Sequence, residues 1–204
     1  MPWPLRLSLV VLLAFSSSAS TQDRVIVALG DSLTAGYGVA PDAAWPAVLE
    51  VRLRAEGYAY RVVNAGVSGD TTAGGLRRVD WVLRAKPEIV ILALGANDGL
   101  RGQSVTAMRS NLAAIVERLK ASDARVLVAG MRVPPNYGAE YAAQFAQAFV
   151  DVARQAGVPL VPFLLDGVAA DPRLNQPDGI HPTPDGHRVI ARHLWPSLVP
   201  LLRR

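Results

Sequence analysis

Residues 25–38 read VIVALGDSLTAGYG: five apolar residues, then a glycine, a carboxylate and a serine in succession. A run of aliphatic residues without polar alternation is the pattern of a strand buried on both faces, as in a parallel sheet. Four further runs of this kind follow, at 60–63, 89–94, 126–129 and 158–163. Helical patterns separate them. Met108, Leu112, Ile115, Val116 and Leu119 share one helical face, and Tyr141, Phe145, Ala148, Phe149 and Val152 repeat the same spacing. Strands alternating with amphipathic helices predict a three-layer α/β domain with a parallel sheet covered on both sides. The tail from 187 to 202 reads as a closing helix. Its His187 and His193, six residues apart, are expected on different surface faces, a spacing that suits no metal site.

The 204 residues, 50% of them apolar, suffice for one globular domain with an ample core. At the N-terminus, Arg6 precedes LSLVVLLAF and the small residues SSSAS follow, which is the order of a secretory signal peptide. Cleavage after Ala19 is expected, leaving a single domain over 20–204 that is periplasmic or secreted. The apolar run at 7–15 is well short of the roughly 20 residues that span a bilayer, so no stable membrane anchor is expected. There is no cysteine, hence neither a disulfide nor a lipid-modified thiol. Twenty-one Lys and Arg against 17 Asp and Glu leave a charge of +4, spread along the chain. Nucleic-acid binding needs a concentrated basic face and is disfavoured.

Ligands of open parallel sheets bind beyond the carboxyl ends of the strands. After the first run comes GDSL (30–33), after the second NAGVSGDT (64–71), after the third GAND (95–98) and, beyond the fifth, DGIHP (178–182). These segments should converge on one sheet edge. A serine hydroxyl attacks a carbonyl only weakly unless a base takes its proton, and histidine titrates in the right range for that work. Ser32 and His181 are the candidates. A carboxylate must orient the imidazole, and Asp178 lies three residues before His181. The developing oxyanion needs donors, for which Gly69 at a glycine turn, the Asn97 amide and the N–H of Ser32 itself are placed. Taken singly, GDS and SGDT also read as helix caps, with Asp70, Thr71 or Thr72 capping a helix through Leu76 and Val79. Asn97 alone would shape a turn. Ser68 is a rival nucleophile, but GVSGD lacks the second glycine of G-x-S-x-G.

Together these segments resemble the SGNH, or GDSL, hydrolases across nearly the whole of 20–204. AAWPAVL, NDGLRG, VPPNYG and DGIHPTPDG carry a narrower likeness to the bacterial periplasmic members described as thioesterase, lysophospholipase, arylesterase and protease. The resemblance implies a flavodoxin-like five-stranded sheet of order 2-1-3-4-5 and a monomeric serine hydrolase without metal or other cofactor. It implies a triad of Ser32, Asp178 and His181, with Ser32 N–H, Gly69 N–H and the Asn97 side chain as the oxyanion hole. The implied substrates are small carboxylic esters, acyl thioesters and lysophospholipids.

Acyl chains need an apolar groove, and the loops 99–102 and 131–141 follow the third and fourth strands. Leu100, Met131, Val133, Pro134, Pro135 and Tyr137 are the candidate groove residues. The same residues also fit a proline-stiffened loop packed on the sheet edge. Two other functions share this sequence: an O-deacetylase acting on carbohydrate or cell-wall polymer, which wants a more polar cleft, and a silent module that captures acyl ligands, against which the intact Ser, Gly, Asn, Asp and His set argues.

Overall fold

The computed structural model describes residues 24–204; the expected signal peptide, 1–19, lies outside the described residues. Five parallel strands form one sheet in the order β2-β1-β3-β4-β5: β1 Arg24–Gly30, β2 Tyr60–Gly66, β3 Ile89–Ala93, β4 Arg125–Ala129 and β5 Leu160–Val161. The central strands β1 and β3 are buried, as their unbroken apolar runs require. Register decides where function sits. Gly30 stands beside Gly66 of β2 and beside Ala93 of β3, so three strands end level at one edge.

Of the helices, α2 (Trp45–Ala55) packs on α8 (Pro184–Leu198), while α6 (Val105–Ala121) packs on α7 (Ala139–Ala156) and on α3 (Thr72–Arg77). Right-handed crossovers from a strand order that reverses at β1 put these two sets on opposite faces. All five residues expected to form the buried face of α6 are buried, as are Phe145, Ala148, Phe149 and Val152 of α7. Short helices α1 Ser32–Ala35 and α5 Ala96–Leu100 occupy the functional edge, while α4 Val79–Leu83 packs on α6. Glycine is required where α1 folds back over the strand ends, because a Cβ on Gly66 would lie 2.2 Å from the Ala35 nitrogen.

Three sequence expectations are corrected here. The fifth strand pairs only at Leu160–Val161 rather than over 158–163, because the prolines at 159 and 162 bring no N–H to the ladder. The closing helix begins at Pro184 and ends at Leu198, followed by a 3-10 turn, Val199–Leu201. His187 is not on the surface. It shares the buried face of α8 with Ile190, Ala191 and Leu194, and its Nδ1 accepts the Trp45 backbone N–H at 3.2 Å. Burial pushes this imidazole down to about 4. His193 is half-buried and bonds the Phe163 carbonyl at 3.0 Å.

At the opposite edge, Glu88 ties together the two ends of the described chain. It receives the Tyr60 hydroxyl at 2.6 Å and pairs with Arg24 and Arg125, while Arg24 Nη1 donates to the Arg203 carbonyl at 2.7 Å.

Candidate active site

The strand order reverses at β1, which leaves a crevice beyond the level ends of β1, β2 and β3. Ser32 opens α1 immediately after β1, and the Asp31 side chain caps that turn by accepting the Leu33 N–H at 3.0 Å. His181 comes from the far end of the chain, in the loop before α8. Its Nε2 lies 3.0 Å from Ser32 Oγ, and its Nδ1 lies 2.6 Å from Asp178 Oδ2. The other Asp178 oxygen accepts the backbone N–H groups of Ile180 and His181, each at 3.0 Å, in a turn closed by Gly179 at φ +75°.

Those bonds set the protonation pattern. The His181 backbone N–H, then its ring, then the Ile180 N–H hold the Asp178 carboxyl down at about 2. An ionised carboxylate only accepts, so Nδ1 carries the proton and Nε2 is left to accept from the Ser32 hydroxyl. The hydrogen bonds of the ring go to Asp178 and Ser32, and none goes to Ser68. Tyr37 covers one side of the imidazole at 4.6 Å between ring centroids.

Asp31, adjacent to the serine, is fully buried, and that burial raises its carboxyl to about 6 despite the Leu33 N–H that favours the charged form. Gly69 stands at φ +78°, in a turn closed by the Asp70 N–H on the Val67 carbonyl. Asn97 sits in α5, directed by a kink at Gly95 (φ +119°). Its Nδ2 donates to the Asp70 carbonyl at 2.9 Å and lies 3.4 Å from Asp31 Oδ2. The same amide therefore touches the loops that carry both Ser32 and Gly69. Beneath it, Asp98 is buried and holds Thr72 through the backbone N–H at 2.9 Å and the hydroxyl at 2.6 Å.

A cavity of about 610 Å³ opens over Ser32, Gly69, Asn97 and His181. Leu100, Met131, Val133 and Pro134 line it. Tyr137 lies outside that lining. Its hydroxyl donates to the Leu100 carbonyl at 2.8 Å and its ring stacks on Tyr141, so it straps one loop to the other. Pro135 begins the 3-10 turn Pro135–Tyr137. Further apolar wall comes from residues not expected there from the sequence: Tyr37, Phe163, Leu165, Ala169, Ala170 and Ile180, while Ser68, Arg132 and Asn175 add polar groups to the lining. The apolar stretch FLLDGVAA after β5 was the available signal for four of them. Among the described residues no cluster of three His, Cys, Asp or Glu is placed to hold a metal ion.

Residues 28–189 match the GDSL-like Lipase/Acylhydrolase family. The chain is 42% identical over 194 residues to a protein named Esterase TesA from Pseudomonas aeruginosa, covering 95% of this chain and 94% of that one. It is 38% identical over 201 residues to Thioesterase 1/protease 1/lysophospholipase L1 of Escherichia coli K12, covering 98% and 94%. A crystal structure of TesA superposes with a TM-score of 0.85 at 43% identity, over 88% of this chain and 100% of the other.

Proposed function

The chain belongs to the GDSL-like lipase/acylhydrolase family, and from that premise we propose that it hydrolyses carboxylic esters, acyl thioesters and lysophospholipids through an acyl-Ser32 intermediate. The observation that carries this reading is the continuous line from Ser32 Oγ to His181 Nε2 at 3.0 Å and from Nδ1 to Asp178 at 2.6 Å. Ser32 Oγ bonds to the carbonyl carbon as its proton passes to Nε2, and Asp178 stabilises the imidazolium. The carbonyl oxygen, now an anion, takes hydrogen bonds from the N–H groups of Ser32 and Gly69 and from the Asn97 amide. Collapse breaks the bond to the leaving alcohol or thiol, which receives the proton from His181. Water then repeats the sequence on the acyl-serine, releases the carboxylic acid and regenerates Ser32.

The apolar wall of Leu100, Met131, Val133, Phe163 and Leu165 takes the acyl chain. That lining favours acyl esters over a polar polymer substrate. The site is complete within one chain, in keeping with a monomer. The signal-like residues 1–19 support an exported enzyme, periplasmic or secreted, and among the described residues no helix is long and apolar enough to cross a membrane.

The test is covalent. A fluorophosphonate should label the purified protein on Ser32, and Ser32→Ala should lose both the label and about 10³-fold or more of its activity on a chromogenic ester. A mutant that keeps a tenth of wild-type turnover would refute the assignment.

A further inference from the structure

The three proposed oxyanion donors come from three separate stretches of chain, and one side chain ties those stretches together. Arg78 sits between α3 and α4, where φ −106° and ψ 9° end one helix and begin the next. Its side chain is 17% exposed, and its guanidinium spends hydrogens on the functional edge. Nη2 donates to the Gly30 carbonyl at 2.7 Å, two residues before Ser32. Nη1 donates to the Ala65 carbonyl at 2.7 Å, near the end of β2. Nε donates to Asp70 Oδ2 at 2.7 Å, on the residue after Gly69. Asp70 in turn accepts the Asn97 amide on its own backbone carbonyl at 2.9 Å. Ser32, Gly69 and Asn97 are therefore all referred to one planar cation.

We infer that Arg78 is the positioning residue of the oxyanion hole, holding the three donors in register through Gly30 and Asp70; this rests on the proposed roles of those donors. A guanidinium suits the task because its donors form a rigid fork, whereas an ammonium is a point charge on a flexible stem. Removing it leaves the Asp70 carboxylate, 11% exposed, and two strand-end carbonyls to find other partners. A second residue supports the arrangement independently. A Cβ on Gly74 would lie 1.7 Å from Asp70 Oδ1, so the bare face of α3 is the space the carboxylate occupies. Neither Arg78 nor Gly74 lines the cavity.

Oxyanion bonds tighten in the transition state, so misplaced donors lower kcat while leaving KM nearly unchanged. In the full-length enzyme on a chromogenic ester, Arg78→Met should lower kcat about 10- to 100-fold, less than or equal to the loss of one donor outright, with KM within about threefold. Arg78→Lys should recover part of that loss. Added guanidinium should partly restore Arg78→Ala, and sodium chloride at the same ionic strength should not. Gly74→Ala should repeat the kcat loss although alanine is the better helix former, with its melting temperature held. A folded Arg78→Met with kcat within twofold of wild type overturns the inference. Should that variant fail to fold, an unimpaired kcat in Gly74→Ala overturns it instead. If Ser32→Ala is inactive while both variants keep full kcat, the positioning role alone falls; if Ser32→Ala remains active, the reaction scheme itself falls.

Discussion

The two sides of the cleft are built on different principles. On one side, Arg78 and Asn97 both donate to Asp70, Asp31 accepts the Leu33 N–H and Asp98 accepts from Thr72, through side-chain and carbonyl hydrogen bonds of about 3 Å and less, beside strands that end level at the sheet edge. On the other, Leu100, Met131, Val133, Phe163 and Leu165 make a wall of aliphatic and aromatic surface on loops joined by the Tyr137–Leu100 and Tyr141–Gln103 bonds. Hydrogen bonds weaken steeply with distance and angle, so the first side tolerates little displacement. Apolar contact depends on area and volume, so the second tolerates exchange of residues of similar size. In the proposed reaction, chemistry belongs to the first side and substrate choice to the second.

Breaking the polar side should cost most. Asn97→Ala should lower kcat by about 10² to 10³ with a smaller change in KM, read from initial rates on one ester. A large rise in KM at unchanged kcat would move Asn97 into substrate binding.

The next effect comes from beneath the polar side and appears in stability. His187 titrates at about 4 in the fold against the ordinary 6.5, so between those values the unfolded chain holds more protons and stability falls as pH drops. The full difference amounts to about 3 kcal/mol. Asp31 acts with the opposite sign. Raised from 3.8 to about 6, it makes the folded protein the better proton binder in that window, so stability falls as pH rises. Denaturant melts of the wild type should therefore change little between pH 4.5 and 6. His187→Asn should lose stability as pH rises through this range, and Asp31→Asn should lose it as pH falls. Two variants with the same slope would contradict the pairing.

On the apolar side each buried methylene adds about 0.8 kcal/mol, roughly fourfold in kcat/KM, from acetyl upward until the cavity is full. Ala169→Phe should shorten that series, lowering octanoyl ester turnover about tenfold while leaving acetyl within twofold. Equal losses at every chain length would show that Ala169 does not bound the acyl site. The smallest effect is expected from Tyr137→Phe, which removes one neutral hydrogen bond worth about 1 kcal/mol between the loops. It should raise KM for medium chains by less than about fivefold and spare kcat.

The same contrast explains what was legible in the sequence. The polar side needs particular residue types at strand ends, so Ser32, Gly69, Asn97, Asp178 and His181 stand out as short motifs after apolar runs. The wall needs only apolar bulk. Phe163 and Leu165 look like packing residues until the chain beyond β5 is seen to return over Ser32. Arg78 hid for a related reason: in a helical pattern an arginine reads as a solvated face, and the kink that turns it inward leaves no compositional trace. The place of His187 was readable as well: its spacing to Ile190, Ala191 and Leu194, rather than its distance from His193, marks the buried stripe.

The bond from Arg24 to the Arg203 carbonyl means that the two ends of the described chain meet at the sheet edge remote from Ser32. Topologically the domain is close to a ring with a single cut. Its covalent starting point can be moved: a short linker joining Arg204 to Arg24, with new ends opened at an exposed turn such as Gly57, where a Cβ meets nothing within 4 Å, leaves every strand pairing intact. A carrier protein fused after Arg204 would likewise hang from the side of the molecule away from the cavity mouth.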